Sequence, residues 1–166
     1  MYTFILRTLL VLLMLIATAC ALDDPGGEGG GAETGRVTRV IDGDTIDVSI
    51  NGNSYRVRYI GVNTPELDDL CYREARSANA ALVEGQTVRL ERDVSDTDQY
   101  DRLLRYVYVG ERFVNAELIA NGWAEAVEYA PDTAETSDFR DLERQARRSN
   151  LGCHPTGIFD DGSDRR

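Results

Sequence analysis

The sequence predicts a mainly β protein of the α+β class, a small closed barrel of five strands with helices packed against it. Three observations carry this. Short β-branched stretches alternate apolar and polar residues between positions 36 and 114. Gly- and Asn-containing turn signals separate them. Helical spacing appears only after the third stretch and toward the end of the chain.

The first two strands are "RVTRVID" (36–42) and "TIDVSI" (45–50), joined at the bend "DGD". In the second, Ile46, Val48 and Ile50 share one face, while Thr45, Asp47 and Ser49 share the other. Asn51-Gly52 then marks a tight hairpin turn, because both central residues of that turn need positive φ. "SYRVRYIGV" (54–62) returns as the third strand, with Tyr55, Val57 and Tyr59 alternating against Arg56 and Arg58. In "CYREARSANAALVEG" (71–85), Cys71, Ala75, Ala78 and Leu82 recur at helical spacing, and Gly85 is a stop signal. "TVRLERD" (87–93) is a fourth strand, and "RLLRYVYVGERFV" (102–114) a fifth that turns at Gly110. "VNAELIANG" (114–122) is a short helix ended by Gly122. "SDFRDLERQARRSN" (137–150) is a last helix, with Ser137 as N-cap and Phe139, Leu142 and Ala146 facing inward. Strands and helices in this order fit the OB-fold, a five-stranded Greek-key barrel.

The flanks read differently. Residues 1–20 carry one basic residue, Arg7, then an apolar run from Leu9 to Ala19 ending in small residues, the outline of a secretory signal. The alternative is an uncleaved anchor, although the run falls short of the ~20 apolar residues that span a bilayer. "IATAC" resembles a lipoprotein box with Cys20 as the lipidated residue, which would tether the protein to a membrane; ordinary cleavage near Ala19 or Ala21 is the other reading. Residues 21–35 are acidic, Gly-rich and nearly free of apolar side chains, so they read as a flexible tether. One domain is expected over 36–155, followed by an acidic tail over 156–166. Export would allow Cys71 and Cys153 to pair as a disulfide; the alternative is two buried free thiols.

The chain has 18 basic residues, every one an arginine, against 29 acidic residues. Net negative charge excludes broad electrostatic attraction to nucleic acid, so any polyanion site must be local. The one histidine, His154, excludes chemistry built on paired histidines and is expected to face solvent. Carboxylates and arginines remain. Asp42 and Asp44 are hard oxygen donors suited to calcium or magnesium. "NTPE" adds the Asn63 amide oxygen, the Thr64 backbone carbonyl and the Glu66 carboxylate, on a turn stiffened by Pro65. Arg58 and Arg102 beside such a cation would suit a phosphodiester, since guanidinium forks pair with phosphoryl oxygens. Arg56, Arg89, Arg92 and Arg105 are expected in cross-strand ion pairs on the barrel's outside, and the arginines of "RQARR" in pairs along the last helix.

"VIDGDT", the Arg58-to-Glu66 spacing ending in "NTPE", "DQYDR" and "VNAELIANGWA" occur in the order and rough spacing of the staphylococcal-nuclease-like, or thermonuclease, family, which the chain resembles from Arg36 to Gly152. The resemblance implies a five-stranded OB barrel with three helices. It also implies calcium-dependent hydrolysis of DNA and RNA with little base preference, breaking the P–O5′ bond and leaving 3′-phosphates. Asp44 matches a calcium-ligating Asp, Thr64 the residue that offers its backbone carbonyl, and Asn63 falls where well-known members have a second ligating Asp. Asp42 matches an acidic residue close to the metal through water. Glu66 matches the proposed general base, Arg58 and Arg102 the phosphate-binding arginines, and Tyr100 a tyrosine that touches the nucleotide. Tyr129 is the clearest candidate for the nucleobase pocket. Departures from the pattern are Asn63, Gln99 for a basic residue, and the acidic "LDDL" (67–70) for a basic loop. They bear on affinity for polyanions more than on chemistry. A monomer is expected. The rival reading is a non-catalytic OB module that binds nucleic acid or protein. A scaffolding surface lipoprotein is a third, resting on Cys20 and the tether alone.

Overall fold

The computed structural model describes residues 32–160; the leader, Cys20 and most of the tether lie outside them. The strands are β1 (Glu33–Val40), β2 (Thr45–Ile50), β3 (Asn53–Tyr59), β4 (Val62–Asn63), β5 (Thr87–Glu91), β6 (Leu103–Val109), β7 (Arg112–Phe113) and β8 (Glu125–Ala126). The helices are α1 (Tyr72–Val83), α2 (Val114–Ala120) and α3 (Thr136–Arg148), with a 3-10 turn at His154–Thr156. The main sheet runs β3-β2-β1-β5-β6-β7, and a parallel pairing of β3 with β6 closes its five long strands into a barrel. This is the α+β OB-type barrel with three helices.

Its interior is apolar. Ile46, Val48, Val57, Val88, Leu90 and Val107 are fully buried inside the ring, and Leu118 and Ile119 of α2 and Phe139 of α3 seal it. Alternation along β2 and β3 holds for Ile46, Val48, Val57 and Tyr59, which turn inward, and for Arg56, which turns out to Asp47, but Tyr55, expected on the inward face, is exposed near the strand's start, and Thr45 is buried beside Asp44. Asn51 and Gly52 both have positive φ, the geometry of a two-residue hairpin whose twist matches its strands. Gly122 ends α2 with φ +74°, where a Cβ would also strike the Leu151 carbonyl oxygen at 2.3 Å.

Several boundaries differ from the sequence reading. β1 begins at Glu33 and pairs with β5 from there, so the last residues assigned to the tether are strand. Their ladder hydrogen bonds come from the backbone, which composition does not report. At the other end, Phe159 is buried against Ala75 and Cys153, so the domain continues past the expected boundary. Helix α3 starts at Thr136 with no side-chain cap, rather than being capped by Ser137. On α1 the buried face is Ala75, Asn79 and Val83, with Ala78 and Leu82 only partly covered. Arg105 is buried rather than outside: it pairs with Asp96 at 2.7 Å and Glu33 at 3.2 Å. His154 is likewise buried, against the Phe159 ring. Along α3, Arg144 pairs with Asp141, and Arg147 with Glu143 and Asp160.

Cys71 and Cys153 are joined by a disulfide across 82 residues of chain, tying the start of α1 to the C-terminal turn. No helix among the described residues is long and apolar enough to cross a membrane.

Candidate active site

The β1–β2 bend is where the site begins. Asp42 accepts the backbone N–H of Asp44 through Oδ1 at 3.1 Å, a local hydrogen bond that shapes the turn. Gly43 between them has no positive φ; its need is space. A Cβ there would lie 2.6 Å from the Thr64 side chain. The absent side chain lets the "NTPE" turn press against the bend. Asp44 Oδ2 then accepts both the backbone N–H and the hydroxyl of Thr64, each at 2.9 Å.

Asp44 Oδ1 faces the other way. It accepts the Thr45 hydroxyl at 3.1 Å and lies 3.2 Å from Arg58 Nη1. Arg58 reaches this position from the end of β3, held by the carbonyls of Tyr59 (3.0 Å) and Val62 (2.6 Å). Its Nη2 stands 3.5 Å from Asn63 Oδ1. Burial, and then the charge of Asp44, push the Asp42 carboxyl up to about 6; the Asp44 N–H, Arg58 and the Thr45 hydroxyl pull against them.

In front of these groups lies a cleft of about 610 Å³. Arg58, Asn63, Glu66, Tyr100, Arg102 and Tyr129 all line it, from β3, the "NTPE" turn, the loop before β6 and the segment after β8. Asp42, Asp44 and Thr64 are not among its lining residues but join it through Arg58 and Asn63. Glu66 is exposed at its edge, on a turn closed by Asp69, whose carboxylate accepts the Glu66 N–H at 2.9 Å. Tyr100 and Tyr129 are exposed rather than core residues, at 70% and 42% of full accessibility. The Arg102 guanidinium lies 5.4 Å from the Tyr100 ring centre.

Four polar residues that the sequence reading did not assign hold this arrangement. Asp98 binds Arg102 Nε at 2.6 Å and accepts the backbone N–H groups of Tyr100 and Arg102. Burial acts to raise its carboxyl, but these hydrogen bonds outweigh burial and hold it below the usual range. Asp132 accepts the N–H groups of Val94 and Ser95 at 2.9 and 2.7 Å, fastening the loop that leads to Tyr100. Asn79 accepts from the Tyr59 hydroxyl and donates to the Asp42 carbonyl, both at 2.9 Å, so α1 supports the β1–β2 bend. Glu125, on β8, accepts from Asn63 Nδ2 at 2.7 Å. Asp98 lies four residues before Arg102 and Asn79 interrupts an apolar helix face, signals the sequence does carry. The contacts of Glu125 and Asp132 are long-range and leave no local signal.

Asp44, Asn63 and Thr64 are the residues whose oxygens could hold a hard cation. Asp44 Oδ1 and Asn63 Oδ1 converge on one positive group, the Arg58 guanidinium, and Thr64 is tied to Asp44 through its backbone N–H. The set is sparing in charge: among the described residues no group of three or more His, Cys, Asp or Glu is placed to hold a metal.

The staphylococcal nuclease homologue family model matches residues 56–153. The chain is 35% identical to a thermonuclease of Staphylococcus hyicus over 122 residues, covering 70% of this chain and 72% of that one. It is 40% identical to endonuclease YncB and 38% identical to the SPbeta prophage-derived endonuclease YokF, both of Bacillus subtilis, covering 68% of this chain in each case. The matched region spans only 57% of YncB and 41% of YokF. A family model covering more than half the chain, on a closed barrel that presents this cleft, establishes that the chain belongs to the staphylococcal nuclease homologue family.

Proposed function

We propose that the protein is an exported, monomeric, calcium-dependent phosphodiesterase that cuts DNA and RNA with little base preference. The observation that carries this reading is that Arg58, Glu66 and Arg102 line one cleft directly in front of the Asp44–Thr64 cluster. Relatives named as nucleases support it, and the disulfide suits an exported protein.

Asp44, Asn63 and the Thr64 carbonyl would hold calcium, with Asp42 acting through water; the bound ion would supply charge neutralisation and orientation of the phosphate. The protein's own groups do the rest. Arg58 and Arg102 donate to the non-bridging oxygens and stabilise the extra negative charge of five-coordinate phosphorus. Both are already oriented, Arg58 by Asp44 and two carbonyls and Arg102 by Asp98, so little reorganisation is needed as charge develops. Glu66 takes a proton from a water molecule as its oxygen bonds to phosphorus. The P–O5′ bond breaks, the O5′ leaving group is protonated from solvent, and a 3′-phosphate remains. Tyr100 and Tyr129 offer aromatic faces to sugar or base, which stacking recognises without choosing a sequence.

The test is digestion of single-stranded DNA and RNA by the full chain, with calcium and with chelator. Calcium-dependent cleavage leaving 3′-phosphates is expected. Arg58→Ala and Arg102→Ala are each expected to slow it by about 10²–10³-fold, the usual loss for one transition-state charge donor. Calcium-dependent binding without any cleavage would instead favour the non-catalytic module.

A further inference from the structure

The side chain at position 63 has an unusual neighbour. Asn63 and Glu125 are paired residues in the two-stranded β4–β8 ladder. Both are buried, at 4% and 8% of full accessibility. Asn63 Nδ2 donates to Glu125 Oε1 at 2.7 Å. An amide has one donating end and one accepting end, and only the donating end can meet a carboxylate. Glu125 therefore decides which way the Asn63 amide turns. With Nδ2 committed to Glu125, Oδ1 points toward Arg58 Nη2, 3.5 Å away, beside Asp44 Oδ1, which is 3.2 Å from the same guanidinium.

We propose that Glu125 is a positioning residue of the cation site, acting as one unit with Asn63: it aims the amide oxygen at the cation and returns, one residue away, the negative charge that an amide at 63 omits. This rests on the calcium reading above. The pairing has a consequence that opposes simple expectation. Placing Asp at 63 adds a charged ligand, yet in this chain it sets two acceptor-only groups against each other at hydrogen-bond distance, with the ladder register holding them together. The gain in ligand charge is outweighed by repulsion and by loss of the bond that orients the ligand. Exchanging the two groups, Asp at 63 with Gln at 125, restores donor and acceptor in reverse order and conserves total charge.

The experiment is calorimetric titration of the full chain with calcium alone, with the thermal midpoint in chelator as a folding control. The variants are Asn63→Asp, Glu125→Gln and the double exchange. Asn63→Asp is expected to bind calcium at least tenfold more weakly than the wild type, and the exchange within about threefold of it or tighter. Asn63→Asp binding as tightly as the wild type overturns the inference, as does an exchange no better than Asn63→Asp. If Asn63→Asp does not fold, the exchange is compared with Glu125→Gln: tighter binding by the exchange supports the pairing, and equal or weaker binding overturns it. Wild type that cuts with calcium while Asn63→Asp binds calcium normally removes this inference alone. Wild type that neither binds calcium nor cuts removes the reading beneath it as well.

Discussion

Single side chains carry more than one duty in this protein, and their environments set what each can do. His154 shows this outside the cleft. Burial, and next the Arg147 cation, hold its imidazole below the usual histidine value, with Asp160 opposing. A depressed folded-state value means that neutral His154 contributes stability above about pH 6.5, lost as pH falls through the lowered value. Its Nε2, buried without a hydrogen-bond partner, is consistent with a neutral ring. The thermal midpoint of the wild type should therefore drop between pH 7 and 5, and the drop should be shallower in His154→Gln; equal slopes would contradict the assignment. Sequence reading expected this histidine at the surface, because "GCHP" carries no hydrophobic period to reveal the Phe159 ring above it. Arg58, Asn63, Glu66 and Arg102 were readable as chemistry-bearing types, Tyr100 and Tyr129 only through the family resemblance, and all six line one cleft. Asp132 and Glu125 left no local signal, since each works through a partner whose proximity is created by folding, whereas Asp98, four residues before Arg102, and Asn79, on an apolar helix face, carried signals that went unassigned.

Among the elements, the close contact of two turns organises the site. Gly43 is small so that Thr64 can bring two hydrogen bonds to Asp44. Gly43→Ala should push the turns apart, destabilising the fold by about 1–3 kcal/mol, the usual cost of overpacking. Cleavage should fall by more than that loss of folded protein explains, measured as kcat of the folded fraction. From sequence the glycine reads as a turn residue; its steric role appears only once Thr64 is packed on it. Helix α1 underpins the same bend. Asn79→Leu would strand the Tyr59 hydroxyl and the Asp42 carbonyl, at about 1–3 kcal/mol for each unsatisfied group. Denaturant unfolding reads this loss directly, and a variant as stable as the wild type would show that water replaces Asn79. The five long strands and three helices were legible because each is a periodic run bounded by Gly or Asn. The two-residue β4 and β8 were not, since two residues carry no period.

Across the whole molecule, an acidic protein presents two arginines in a cleft that carboxylates also line. With 29 acidic against 18 basic residues, attraction for nucleic acid comes from few groups. If Arg58 and Arg102 are the phosphate contacts, binding of single strands should weaken with a log–log salt slope of only about −1.4. A slope several times steeper, measured by anisotropy in calcium with Glu66→Gln, would point to a broader basic surface. The disulfide joins the two ends of the helical layer across 82 residues. Replacing both Cys71 and Cys153 by Ser should cost roughly 4 kcal/mol of unfolding free energy in the chain-entropy model. Above all, the barrel is read as a scaffold that brings a proton acceptor and two phosphate-binding arginines to one cleft. Single-turnover cleavage by Glu66→Gln, at saturating calcium and substrate, tests that most directly. The account predicts a chemical step slowed by about 10²–10⁴-fold with substrate affinity unchanged; a step as fast as the wild type's would contradict it.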